Sequence, residues 1–409
     1  MNSKINNALD HLFRHEYGKI VAGLTSGFGA QHIEIIEDAV QDSLLKASQV
    51  WAYNGLPNKP GYWLFKVSKN KLLDILKRER KSENFIDDQI IQEAEQEIVL
   101  STELNDEQLK MIFACCHPAI QNRDALILSL KLISGFSIDE ISRALLIKKE
   151  TAKKSLQRAK LKFRKEVGQL VVPSGRELKN YLSRVLKVVY LMFNEAYKTS
   201  TGKELINRDL CGEALRLALL IIDKKECKTL SSCSLISLMA YKIARFDARL
   251  VDGKLIRLQN QNRLLWIREY IDWGNYYFHQ ATLFQEVDDF YLEASIEFQY
   301  HIAPSFEKIN WNKVLNIHHL IRKHYPSPNA HLNYLIVMAK IEKAEVVLSA
   351  LKKIQNEHNR NHLYFAFKAE LELKIGNNKE AKESLDSAIS LSSNEVEKTY
   401  LIDKKTLIP

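Results

Sequence analysis

The chain has 409 residues, 46% of them hydrophobic, and a formal charge of +9 at neutral pH. That apolar content excludes a disordered protein, and the length suits two or three domains with sizeable cores. Only 14 Gly and 8 Pro punctuate it, and apolar residues recur every three or four positions, so an all-α fold is expected with no convincing period-two strand.

The opening MNSKINNALDHLFRHEYGK is polar and charged, unlike a signal peptide. Residues 5–80 read as a helical unit. Leu9, Leu12, Phe13, Tyr17, Ile20 and Val21 form one apolar stripe, and Ile36, Ala39, Val40, Leu44, Ala47 and Trp51 form a second. The loop NGLPNKPG at 54–61 breaks the helix, and a third follows over 62–81 with Leu64, Val67, Leu72, Ile75 and Leu76 inward. The next segment is acidic. Residues 1–168 hold 25 Lys and Arg against 22 Asp and Glu, and nine of those acids lie in 82–109, which contain no Lys or Arg. Two basic modules flanking an acidic tether suit a polyanionic partner, although surplus Lys also serves solubility.

A second helical unit is expected over 105–168. Within it, SIDEISRALLIKKETAKKSLQRAK at 137–160 reads as two short helices broken near Leu146-Ile147-Lys148. Ser137 and Glu140 have capping-box spacing, and Ile138, Ile141 and Leu145 would face inward. The following helix places Ala152, Leu156, Ala159 and Phe163 on one side. Its other face carries Lys149, Lys153, Lys154, Arg158, Lys160, Lys162, Arg164 and Lys165, with Glu150 the single acid before Glu166. Such a helix gains phosphate contacts on DNA while its first turn reaches base edges, though the same pattern fits a solvated surface helix.

VVPSG at 171–175 marks a further boundary, after which 178–409 read as helical hairpins. The longest apolar runs, VVYLMF at 188–193 and LALLII at 217–222, are too short to span a bilayer. Near 362–395, Gly376, Ala381 and Ala388 fall at intervals suited to a tetratricopeptide-like hairpin, in which small residues let two helices cross closely. Five scattered cysteines make no disulfide framework, so reduced thiols and a cytoplasmic location are expected.

Two upstream stretches bear on function. IEDAVQDSLLKA at 36–47 presents Glu37, Asp38, Gln41 and Asp42 near a helix start, where acids favour the dipole and could also form a docking face. WLFKVSKNKLLDILKRERK at 63–81 sets aromatics beside Lys66, Lys69, Lys71, Lys77, Arg78, Arg80 and Lys81, a combination that stacks and neutralises single-stranded DNA. Trp63 and Phe65 also fit as ordinary core residues.

Taken in order, EDAVQDSLLKA, GYWLFKVSKNKLLDILKRERK, the acidic linker and LILSLKLISGFSIDEISRALLIKKETAKKSLQRAKLKFRK resemble the sigma-70 family of transcription initiation factors. The resemblance covers roughly 5–167 and is to the small extracytoplasmic-function type. ACCHPAI at 114–120, VVYLMFNEAY, LCGEALRLALLI, QNQNRLLW and NEVEKTYL resemble the subgroup with a long helical, partly tetratricopeptide-like extension. The resemblance implies a domain over 1–81, an acidic linker over 82–104, a helix-turn-helix domain over 105–168 and an extension over 178–409. It implies a promoter-specificity subunit without catalysis or cofactor of its own. Its partners would be core RNA polymerase, promoter DNA (duplex at −35, melted at −10) and its own extension, with no membrane.

By matching position, Glu37, Asp38, Gln41 and Asp42 would contact the polymerase. Asn58, Lys59, Trp63, Lys66, Lys69, Asn70, Arg78 and Arg80 would melt and read the −10 element. Lys149, Thr151, Lys153, Lys154, Ser155, Arg158 and Lys162 would bind the −35 element. The family often has Arg where Ser155 stands, and Lys148 and Lys149 replace better helix starters, which puts the promoter sequence in doubt.

Other features carry less. Cys115-Cys116-His117 cannot easily converge on one metal ion and fits a helix end with buried thiols. His318-His319 fits a surface pair. Gln259, Gln261, Asn262, Arg263 and Trp266 fit either a polar contact site or donors to hairpin carbonyls. Two rival readings remain: a dimeric helix-turn-helix regulator with a helical sensor domain, and a helical-repeat scaffold. An enzyme is disfavoured because no constellation of acid, base and nucleophile is visible.

Overall fold

The computed structural model describes residues 2–83, 101–145, 147–197 and 206–409. They are helical almost throughout and divide into two compact units, 1–191 and 192–409. The expected all-α architecture is observed.

Unit 1 opens with α1 (Asn2–Phe28), α2 (Ile33–Asn54) and α3 (Pro60–Glu83). Buried Ile20, Val21, Leu24, Ile36, Ala39, Val40, Leu64 and Leu72 give each helix an inward stripe. Most of the acidic stretch expected as a linker lies outside the described residues, and its last four residues, 101–104, already belong to α4 (Ser101–Cys115). Then come α5 (Asn122–Leu132), α6 (Ile138–Ala144) and α7 (Lys149–Glu166). α1 packs on α4 and α5 as well as on α2 and α3. Gly18 permits that approach, since a Cβ there would run into the Ile133 carbonyl oxygen. The two modules expected on either side of a tether therefore share one core.

The helix that opens the expected extension near 178 begins within unit 1. α8 runs unbroken from Gly175 to Tyr197, and unit 1 continues to Leu191. Arg184 donates to the Ile120 carbonyl, and the Tyr181 ring meets the His117 ring edge-on at 6.0 Å. The start of α8 is thereby fastened to the turn after α4.

Unit 2 continues with α9 (Arg208–Asp223), α10 (Leu230–Ala244) and the short α11 (Phe246–Arg249). α10 is buried on nearly every side and lies against α9, α12 (Arg268–Thr282) and α13 (Asp289–Ile302). A two-residue hairpin, β1 (Leu250–Val251) with β2 (Lys254–Leu255), was not anticipated. Asp252 and Gly253, both at positive φ, make its turn, where an Asp-Gly pair matches the twist of the strands. Helical hairpins follow: α14 (Trp311–His324), α15 (Pro328–Met338), α16 (Ala344–Lys353), α17 (His362–Lys374), α18 (Asn378–Leu391) and α19 (Glu395–Thr406). α17 and α18 cross closely over Ala369, Ala381 and Ala388, all fully buried, after a turn through Gly376 at φ +84°. The small residues singled out in the sequence serve this crossing.

Candidate nucleic-acid interface

α6 and α7 pack together as a helix, a short turn and a longer helix. The Glu140 amide donates to Ser137 Oγ at 3.2 Å, and the Glu140 carboxylate accepts the Ser137 N–H at 2.8 Å. This reciprocal cap satisfies two orphan donors, and losing a cap residue costs about 1 kcal/mol. Leu146 lies outside the described residues. α7 opens without a side-chain cap, because Lys148 at its N-cap offers no acceptor. Its first amides are therefore left to solvent or to an anion.

α7 buries Ala152, Ser155, Leu156, Ala159 and Phe163, the stripe expected from the sequence with one addition. Ser155 is 5% exposed and faces the core, so its expected place among the −35 contacts is corrected. It occupies the 152/155/156/159 stripe of a 3.6-residue period, and that spacing already carried the signal.

The cations of α7 separate by position. In the first half, Lys149 pairs with exposed Asp139 at 2.7 Å and holds that carboxyl below its usual range. Lys153 pairs with Glu150 one turn back at 3.2 Å. Lys154 forms no ion pair among the described residues, and Thr151 is exposed. Such surface pairs contribute roughly 0–1 kcal/mol and are readily exchanged for another anion.

In the second half, four cations engage acids or a carbonyl of the protein, while Lys165 is exposed. Arg158 Nε and Nη2 each donate at 2.7 Å to Asp124, whose carboxylate is buried at the start of α5. Lys162 Nζ donates to the Ala119 carbonyl at 2.8 Å. Lys160 pairs with Glu37, and Arg164 with Glu34 at 2.9 Å. The expectation of Arg158 and Lys162 as DNA contacts meets a second role: both side chains hold α7 against α5 and the turn before it, while the Arg158 side chain stays 53% exposed.

α2 carries the expected acidic face, with one change. Asp38, Gln41 and Asp42 are exposed one turn apart, whereas Glu37 is 2% exposed. Its carboxylate accepts from Tyr17 Oη at 3.3 Å, lies 3.8 Å from Lys131 Nζ and pairs with Lys160. The expected exposure of Glu37 is thus wrong: it is a buried acid bridging α2 to α5 and α7. The open face gains a residue that sequence reading missed, Leu45, 62% exposed and at helical spacing from Asp38, Gln41 and Asp42.

On α3 and the loop before it, Asn58, Lys59, Lys66, Asn70 and Arg78 are exposed and Lys69 is half-buried. Lys59, Lys66 and Asn70 fall near one stripe of the helix, flanked by Tyr62, a second residue the sequence reading passed over. Trp63 is half-buried with its ring 5.3 Å from that of Trp51, so it braces α3 on α2. Phe65 is a core residue. The Arg80 side chain lies outside the described residues.

Cys115 and Cys116 are buried at the end of α4, and burial pushes Cys116 up to about 12. His318 is inside rather than on the surface, and burial lowers it to about 4. In the 259–266 segment, Arg263 donates to the Tyr300 and Ala303 carbonyls at 3.0 and 2.8 Å, and Gln261 donates to that of Ile256. These side chains satisfy backbone oxygens.

Residues 181–282 match the model of a family of unknown function (DUF6596), a stretch from within α8 to the last residue of α12. An uncharacterized protein of Rhizobium meliloti (strain 1021) is 26% identical over 380 residues, spanning 91% of this chain and 89% of that protein. No solved structure matches the chain. The likeness to the Rhizobium protein extends through both units.

Proposed function

We propose that the protein is a promoter-specificity subunit of the sigma-70 type, acting with core RNA polymerase in the cytoplasm and performing no catalysis itself. The observation that carries this reading is the first half of α7. An uncapped helix start with Lys148, Lys149, Thr151, Lys153 and Lys154 in solvent follows a tightly capped α6. A phosphate near that start gains from the orphan amides, and the lysines release counterions. The exposed Lys59, Lys66 and Asn70 on α3 would take the melted −10 strand, and the Asp38, Gln41, Asp42 and Leu45 face of α2 would take the polymerase. The two modules share one core, so on this reading engagement of two separated promoter elements would part the packing of α1 on α4 and α5 together with the Glu37 contacts.

The test is reconstitution of the full chain with core RNA polymerase, followed by run-off transcription from genomic promoter fragments. The reading expects a stable complex and fragment-specific transcripts. It also expects Asp38→Lys with Asp42→Lys to weaken the complex while the helical circular-dichroism signal stays the same. Binding to palindromic duplex DNA as a dimer, without association with polymerase, would replace it with the regulator reading.

A further inference from the structure

In unit 2 a groove of about 750 Å³ lies between the segment after β1 and α19 and is lined also by Glu370 of α17. A second cavity of about 210 Å³ shares Arg257, Gln259 and Glu370 with it and continues to Lys340. The larger space falls within the roughly 300–1,000 Å³ of typical small-molecule sites. Its walls are apolar along Leu255, Ile256, Val396 and Tyr400, and the smaller cavity is lined by Phe306 and Phe367.

The polar groups converge where the two cavities meet. Arg257 Nη1 donates to Glu370 Oε2 at 2.6 Å, and its guanidinium lies 5.8 Å from the centre of the Tyr400 ring. Lys404 Nζ is 3.5 Å from the same carboxylate oxygen. Lys340 Nζ lies 5.4 Å from the Phe306 ring centre and pairs with no acid among the described residues. One carboxylate thus faces three partly buried cations, and the acids Glu395 and Asp403 stand exposed at the rim. Burial pushes Lys340 and Lys404 down from the usual lysine range. It works to raise Glu370 as well, yet Arg257 and the two lysines hold that carboxyl at about 2. Arg257 lines both cavities and spends donors on Glu370 and on the Tyr400 hydroxyl, and its five-donor fork leaves others for an oxygen ligand.

We propose that this groove binds a small amphipathic carboxylate, its head between Arg257, Lys404 and Lys340 and its hydrocarbon body along Leu255, Val396 and Tyr400. A single negative charge offsets part of the surplus. A dianion would meet repulsion from Glu370, and a neutral hydrocarbon would leave the cations unmatched while gaining only the walls.

The test is titration calorimetry of the full chain with octanoate, 1-octanol, octylamine and inorganic phosphate at constant ionic strength. Octanoate is expected to bind at one site, with the other three weaker by about tenfold or more, as loss of a charge-assisted contact implies. Lys340→Gln and Lys404→Gln should each weaken octanoate several-fold when measured well below their thermal midpoints, and Tyr400→Ala should weaken it more than Tyr400→Phe does. Octanol binding as tightly as octanoate, phosphate binding as tightly, octanoate affinity unchanged in the Lys340→Gln/Lys404→Gln double variant, or no saturable octanoate binding in the millimolar range would each overturn the proposal. None of these readouts depends on polymerase or DNA.

Discussion

Arg245 in unit 2 and Lys154 in unit 1 carry the same charge in opposite surroundings. Arg245 is 7% exposed, and its Nη2 reaches both Glu297 oxygens, at 2.9 and 2.7 Å, in the interior between α10 and α13. Lys154 is exposed on α7 and forms no ion pair among the described residues. Folding fixes the first cation, because removing it strands a buried carboxylate. The second contributes little to folding and keeps its charge for a partner. The contrast separates cations that build the protein from cations that could serve a polyanion, a distinction that net charge alone does not make. Within α7 the same division recurs between Lys149–Lys154 and Arg158–Arg164.

The most severe test of the structural class is Arg245→Ala. Glu297 would remain buried without its partner, and breaking such a pair typically costs about 3–5 kcal/mol. Urea unfolding of the full chain should show that loss in the transition of unit 2. The double variant Arg245→Met/Glu297→Leu should recover much of it. A single-variant cost below about 1 kcal/mol would mean that the pair is not structural in the sense drawn here.

Acid should weaken unit 2 for a related reason. His301 stacks on Tyr241 at 4.6 Å, and burial followed by the nearby Arg245 charge lowers it to about 4; burial alone lowers His318 to about 4. Both rings bind protons in the unfolded chain near pH 6.5 but not in the folded one. Their stabilisation is therefore complete above about pH 6.5 and is lost as pH falls toward 4, by at most roughly 3 kcal/mol each. Unfolding midpoints at pH 7.5 and 5 measure the slope. His318→Leu should remove a substantial part of it, and an unchanged slope would break the account for that residue.

Glu37→Gln is expected to act next, at about 1–3 kcal/mol, because Lys131 and Lys160 would lose their shared anion while the side chain keeps its volume. The variant should lower the melting of unit 1 and raise its affinity for duplex DNA, since Lys160 is released. Destabilisation without any gain in DNA affinity would show that the Glu37 contacts stabilise the core without restraining α7.

Glu37 also shows what local sequence does not encode. The capped α6, the inward stripe of α7 and the small-residue crossing of α17 and α18 were legible because each is written within a few turns of chain. Ser155 and His318 were legible too, through spacing from Ala152 and Val314, but their polarity argued the other way. Glu37 was not legible: it looks like an ordinary acid at a helix start, and its burial depends on lysines from α5 and α7. The Trp51–Trp63 contact and the Arg158–Asp124 pair are likewise tertiary facts that periodicity does not encode.

The smallest expected effect on stability, and the sharpest on function, comes from comparing Lys154→Ala with Arg158→Ala. Lys154 is exposed and forms no ion pair among the described residues, so its removal should leave the stability of unit 1 within about 0.5 kcal/mol of the parent. On duplex DNA it should reduce the slope of log affinity against log salt by about one if it contacts a phosphate. Arg158→Ala should do the reverse. It unmakes two 2.7 Å bonds to buried Asp124, so unit 1 should melt earlier, while affinity measured well below that melting temperature should hardly change. Filter binding across a salt series, run beside thermal melts of both variants, separates the two. If Arg158→Ala lowers the salt slope and Lys154→Ala leaves it intact, the second half of α7 is the DNA-facing half. Its contacts with Asp124 and Ala119 would then have to be exchanged for phosphates on binding, and the division drawn along α7 would be reversed.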